Sequence, residues 1–129
     1  MKAKDMMSKK NWAVVGATQN QQAFGYKIFK ALEKHGYNVY PVSPKYDEID
    51  GVKAYKSLKD LPEKVDVVDF VVNPKVGLSV LDEVIEEGIE SIFLQPGTRD
   101  PQIIKKATDN QVNVALSCVL VELNEADHR

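Results

Sequence analysis

The chain has 129 residues, a formal net charge of −2, 43% hydrophobic and 28% charged residues, the composition of one globular domain with a single core. That charge gives no bulk attraction for nucleic acid, and the basic residues are nearly all lysine, with Arg99 and Arg129 the only arginines. A single cysteine, Cys118, excludes an intrachain disulfide framework and suits a reducing cytoplasm, and no apolar run reaches the length of a membrane span.

Residues 1–11 are lysine-rich without the apolar core of a signal peptide, and read as a flexible lead-in with one helical turn near residues 5–9. Ala13-Val14-Val15 is the first buried strand and runs into Gly16. A polar loop follows. Phe24, Ile28, Ala31, Leu32 and His35 then recur at helical spacing, with His35-Gly36 as the stop. Asn38–Val42 is a second strand, and residues 52–55 read as a short edge strand after the turn residues 47–51. Ser57 can cap a brief turn over 58–61, stopped by Pro62.

Residues 65–72 form the longest apolar run, interrupted by Asp66 and Asp69, as in strands covered on both faces. Val76, Val80, Leu81, Val84 and Ile85 make an amphipathic helix closed by Gly88. Ser91–Leu94 is the next strand. Asp100-Pro101 is a strong helix start, with Ile103, Ile104 and Ala107 facing inward. Residues 112–116 form the last strand, and residues 122–129 read as a polar tail. The domain therefore spans residues 12–121.

Alternating strands and helices imply a doubly wound, mostly parallel sheet in three αβα layers, Rossmann-like, in the order 3-2-1-4-5-6. Ligands of such sheets bind outside the carboxyl ends of the strands, where the strand order reverses. The loops there are residues 16–23, 43–46, 73–76, 95–98 and 117–118. A glycine loop running into a helix N-terminus is a phosphate-binding device, because backbone amides and the helix dipole both favour an anion.

The dinucleotide pattern G-x-G-x-x-G is absent, since the glycine after Gly16 is Gly25, nine residues on. The acid expected after the second strand is absent too. Ser43-Pro44-Lys45 stands there, and a lysine attracts a ribose phosphate that an acid would repel. NADP and coenzyme A both carry such a phosphate. The P-loop pattern G-x-x-x-x-G-K-[ST] is also missing. Asp66 and Asp69, at the start and middle of the central strand, read as structural polar residues rather than catalytic ones.

Trp12-Ala-Val-Val-Gly-Ala-Thr, Phe24-Gly25-Tyr26-Lys27 and Val39-Tyr40-Pro41-Val42-Ser43-Pro44-Lys45 together carry a resemblance. So do Tyr55–Pro62, Val71-Val72-Asn73-Pro74, Gln95-Pro96-Gly97 and the late Cys118. The chain resembles the small stand-alone CoA-binding domains, related to the N-terminal domain of the succinyl-CoA synthetase alpha subunit. The resemblance implies a Rossmann-like domain that binds coenzyme A or an acyl-CoA. It implies that Gly16, Ala17 and Thr18 meet phosphate, with Phe24 and Gly25 at the helix start beneath. Pro41, Val42, Ser43 and Lys45 would frame the adenosine and its ribose phosphate. Val72, Asn73 and Pro74 would form the opposite wall, and Gln95, Pro96 and Gly97 would flank the outgoing arm. Ala17 stands where many members have Ser, and Ser43 where many have Asn.

No Ser-His-Asp, Cys-His or metal-spaced cluster is visible, and His35 and His128 lie away from the strand ends. The sequence therefore reads as a non-catalytic module that holds a small nucleotide cofactor, with neither nucleic acid nor membrane as partner. It would work as a carrier, a sensor or a partner subunit, or as a homo-oligomer. The alternative is an NAD(P)-binding oxidoreductase or redox sensor, which the glycine spacing disfavours. A third reading is an interaction protein with a degenerate site. Cys118 is the one nucleophile near the site face, where a thiolate could exchange with the thiol of coenzyme A; a small buried hydrophobe is the favoured reading.

Overall fold

The β-branched and aromatic runs read from the sequence form strands, and the amphipathic segments between them form helices. The computed structural model describes residues 2–124. In chain order the elements are α1 (Ala3–Met7), β1 (Asn11–Val15), α2 (Phe24–Lys34), β2 (Asn38–Val42), β3 (Glu48–Ile49) and β4 (Val52–Lys53). A 3-10 turn at Leu58–Asp60 follows, then β5 (Val67–Phe70), α3 (Pro74–Glu86), β6 (Ser91–Leu94), α4 (Pro101–Asp109), β7 (Asn113–Leu116) and α5 (Val119–Glu122).

One parallel sheet has the order β2-β1-β5-β6-β7. Val42, Val15, Phe70, Leu94 and Leu116 lie in register across it, so the strands end along one edge. The chain winds outward from β1 to β2 and in the other direction from β5 to β7. The reversal falls between β1 and β5, as the Rossmann-like reading requires.

Alternate residues of each strand face opposite layers. Trp12, Val14, Val67 and Phe93 pack with α2, Met6 of α1, and Val119 and Leu120 of α5. Ala13, Val15, Val68, Phe70 and Ile92 pack with α3, α4 and Leu58. Trp12 is fully buried, and its indole N–H donates to the Lys9 carbonyl at 2.8 Å. Burying each such large apolar side chain contributes about 1.5–3 kcal/mol.

The expected third strand differs. Val52–Lys53 turns back on β3 as a small antiparallel hairpin instead of running along β2. Asp50 and Gly51, with φ of 49° and 78°, close that hairpin, and two consecutive positive-φ residues are what a two-residue primed turn needs. Only Tyr55 reaches the third position, as a parallel bridge to Val42. Its N–H donates to the Pro41 carbonyl at 2.9 Å, and its carbonyl accepts from the Ser43 N–H at 2.8 Å. Pro41 is tolerated because β2 is the sheet's outermost full strand.

Two further segments depart from the sequence reading. The lead-in folds as α1, with Met6 fully buried. Residues 119–122, not expected to be regular, form α5. His35 is the C-cap of α2, where a helix end was expected. His128 and the end of the polar tail lie outside the described residues.

Of the two central-strand aspartates, Asp66 is satisfied: its carboxylate accepts the Asn11 N–H at 3.3 Å. Asp69 is not. It is fully buried on the α2 face, between Val67 and Val71, and neither carboxylate oxygen has a partner among the described residues. Burial pushes its pKa well above the usual carboxylate range.

Candidate functional site

Gly16 ends β1 with φ +100°, and a Cβ there would lie 2.2 Å from the Val71 carbonyl oxygen. Gly25 sits in the first turn of α2, where a Cβ would lie 2.1 Å from the Gly16 carbonyl oxygen. The two glycines let strand, loop and helix approach closely beside the switch point. Phe24 and Gly25 occupy the first two positions of α2, whose amides have no intrahelical acceptor. The N-cap Ala23 offers no side chain to them, and the first turn holds no acid. The start of α2 is thus an uncapped donor set next to the loop.

The loop is shaped by its own polar side chains. The Thr18 hydroxyl accepts from the Asn20 N–H at 3.1 Å and bonds the Tyr46 hydroxyl at 3.2 Å. The Asn20 side chain accepts from the Gln22 N–H at 3.0 Å, and Gln19 Nε2 donates to the Glu48 carbonyl at 3.1 Å. Thr18 is therefore committed through its side chain to the loop and to Tyr46, while Gln19 ties the loop to the β3–β4 hairpin. Ala17 is buried, with its methyl in the α2-side core.

Two clefts open on either side of this loop. Val71 and Val72 follow β5 and pack with opposite layers. One cleft, of about 190 Å³, lies on the α3 side and includes Gly16, Val42, Pro44, Lys56, Val72 and Val76. The other, of about 220 Å³, lies on the α2 side and is bounded by Phe24, Val71, Gln95, Pro96, Cys118 and Val121. Phe24 and Val76 are exposed, at 51% and 44%, because they face these clefts and not the core.

Of the residues predicted from sequence, Gly16, Val42 and Val72 line the first cleft, and Phe24, Gln95 and Pro96 the second. Ala17, Thr18, Gly25, Pro41, Ser43, Lys45, Asn73, Pro74 and Gly97 line neither; they form the bordering loops and element ends. Ser43 is buried, and its hydroxyl accepts from the Lys45 N–H at 3.2 Å, which holds the Pro44 turn. Lys45 is exposed and makes no ion pair among the described residues. Asn73 is the N-cap of α3, accepting from the Val76 N–H at 3.0 Å, with Pro74 at the first position. The turn after β6 is closed by bonds from the Thr98 N–H and hydroxyl to the Gln95 carbonyl, with Gly97 at φ +88°.

Sequence reasoning missed Lys56, Ser79 and Glu83 in the α3-side cleft. The Lys56 ammonium donates to the Pro44 and Tyr46 carbonyls and pairs with Asp47 at 3.2 Å. Glu83 accepts the Leu58 N–H at 2.9 Å, fixing the 3-10 turn against α3. Residues 76, 79, 80 and 83 share one helical face, a signal present in the sequence. Cys118 is a half-buried free thiol.

The sequence matches the family described as CoA binding domain over residues 10–124. The chain belongs to that family. The alpha subunit of an ADP-forming acetate–CoA ligase II from Pyrococcus furiosus is 40% identical over 83 residues, covering 64% of this chain and 18% of the ligase subunit. The chain thus spans under a quarter of the length of the ligases it matches. Stand-alone proteins of similar fold are also known. A hypothetical protein from Pyrococcus horikoshii OT3 superposes with a TM-score of 0.87 at 34% identity, over 92% of this chain and 84% of the other. A conserved hypothetical protein from Pyrococcus furiosus gives 0.83 at 41% identity, over 88% and 98%. No helix of this CoA-binding domain is long and apolar enough to cross a membrane among the described residues, nor do those residues hold a group of three or more His, Cys, Asp or Glu placed for a metal ion.

Proposed function

We propose that the chain binds coenzyme A or an acyl-CoA across the carboxyl ends of the sheet, as a binding module without catalytic residues of its own. The observation that carries this reading is the contact of Gly25 with Gly16, which brings the uncapped start of α2 against the loop after β1. Free amides and the helix dipole there favour a pyrophosphate. Membership of the CoA-binding domain family supports the same ligand. The paired clefts suit a ligand with an arm on each side of a pyrophosphate: the adenosine beside Val42 and Val72, the pantetheine beside Phe24 and Gln95. Lys45, free of ion pairs among the described residues, is the cation for the ribose phosphate. The same lysine, standing where a dinucleotide site would carry an acid, disfavours NAD.

The ligase relatives are several times longer than this chain. Ligase chemistry would need groups from a partner subunit or a further domain, and a second copy of the chain is another candidate partner. A reducing cytoplasm suits the free thiol of Cys118.

Thermal unfolding with coenzyme A, acetyl-CoA, NAD and NADP tests the reading. A ligand that binds only the folded state at 100 times its Kd adds about 2.7 kcal/mol of apparent stability. Coenzyme A and acetyl-CoA should raise Tm. Selective stabilisation by NAD or NADP would overturn the assignment, and a response to none would favour an interaction protein.

A further inference from the structure

The two edges of the sheet differ in how they are protected. β2 carries Pro41, whose missing N–H blunts an edge, and Tyr55 bridges to Val42 beyond it. β7 has neither device. No strand lies on its outer side among the described residues, and Asn113-Val114-Ala115-Leu116 carries no charge. The register fixes which backbone groups are open. The Asn113 N–H donates to the Glu90 carbonyl at 2.9 Å, and Ser91 lies opposite Asn113. In a parallel ladder alternate residues bond to the same neighbour, so Asn113 and Ala115 serve β6, while Val114 and Leu116 turn their N–H and C=O groups outward. Such a row is a template for another strand.

A groove of about 520 Å³ runs along this edge, between β7 and α4. Ile104, Val112, Val114 and Leu116 make it apolar, and no charged side chain lines it. Leu116 is 50% exposed there. The lysines of α4 are already paired, Lys105 with Asp109 and Lys106 with Asp82. A charged strand would find no counter-charge in this groove; an uncharged apolar strand suits it, and β7 is one. About a two-fold axis at Ala115, an antiparallel second β7 sets Val114 opposite the partner's Leu116, and Leu116 opposite the partner's Val114. Both are pairs that exchange N–H and C=O bonds, because these residues hold the outward groups. Paired residues share a face, so each leucine enters the other copy's groove, against Val114 and Ile104. Ala115 meets its own copy at the closely spaced position, where a small side chain fits. We infer that the β7 edge binds a second copy of this chain, joining two five-stranded sheets into one continuous sheet. The inference does not depend on the coenzyme A reading; where both hold, the two cofactor sites open in opposite directions.

Sedimentation equilibrium of the full chain over a concentration series tests it. Specific interfaces give dissociation constants from micromolar downward, so wild type at about 100 μM should show twice the chain mass. Leu116→Lys places a charge in the partner's groove and should weaken association about a hundredfold, the loss of a central apolar anchor. Amide exchange of wild type decides on its own if that variant does not fold. Above the dissociation constant the Val114 and Leu116 amides should exchange about tenfold more slowly than on dilution below it, while the Asn113 and Ala115 amides, bonded within the sheet, should not change. A chain that stays monomeric at about 100 μM would overturn the inference. So would a dimer that Leu116→Lys leaves intact, or one whose Val114 and Leu116 amides gain no protection, since its interface would lie elsewhere.

Discussion

Replacing Asp69 by valine is expected to stabilise the fold, by an amount that grows with pH. Asp69 is fully buried in the central strand, beside Val14 and Phe93 in register, with both carboxylate oxygens unpartnered among the described residues. An unsatisfied buried polar group costs about 1–3 kcal/mol even when neutral. Protonation adds a second cost. The unfolded carboxyl titrates near its ordinary value of about 3.9, so above that pH the fold must take up a proton on forming. The sign follows from the raised folded-state pKa. The carboxyl's contribution is most favourable when it is protonated in both states, below the unfolded value. It falls by about 1.4 kcal/mol per pH unit as pH rises from there to the folded-state value, then levels off. Asp69→Val removes both costs and adds a β-branched side chain suited to a two-sided strand. The gain expected near neutral pH is about 2–4 kcal/mol, or roughly 10 °C in Tm for a domain of this size. Urea titrations of both proteins between pH 4.5 and 8 give the difference directly. Asp69→Asn serves as control: it keeps an unsatisfied polar group and should lose only the pH dependence. A wild type that matches or exceeds the valine variant at every pH would refute the reasoning, since it would mean that the carboxylate is ionised and compensated.

Other perturbations address the site. Gly25→Ala places a methyl 2.1 Å from the Gly16 carbonyl oxygen. It should cost about 1–3 kcal/mol in thermal stability and weaken coenzyme A binding, as the helix start is pushed from the loop. Lys45→Glu should weaken coenzyme A about tenfold and leave dephospho-coenzyme A nearly unchanged, an effect that shrinks with added salt. Titration calorimetry with both ligands reads it; equal weakening would place the ribose phosphate elsewhere. Asn73→Ala removes the acceptor for the Val76 N–H and should cost about 1 kcal/mol in urea-monitored stability, the usual loss for an N-cap.

The switch point was legible because three independent signals met there. β1 and β5 are apolar runs, each stopped by a residue with a reason to stop it: Gly16 by its conformation, Asn73-Pro74 by cap and ring. Helix α2 then opens with Phe24-Gly25. The hairpin was also written in the sequence, as Asp50-Gly51, the pair a two-residue primed turn favours. The apolar residues at 52–55 obscured it by reading as an edge strand. The clefts were less legible, for a physical reason. Hydrophobic periodicity reports which side chains leave water, and does not distinguish a core from a ligand groove. Val76 and Phe24 sit on helical faces that periodicity assigns to the core, yet both are exposed. Gln95 is a stronger case. Its meaning depends on Oε1 being held by Val119, a residue 24 positions away on a four-residue helix too short to give a periodic signal. A glutamine after a strand carries little information in sequence. Its bond to the Val119 N–H ties the turn after β6 to α5 at the edge of the cleft, which only the folded chain reveals.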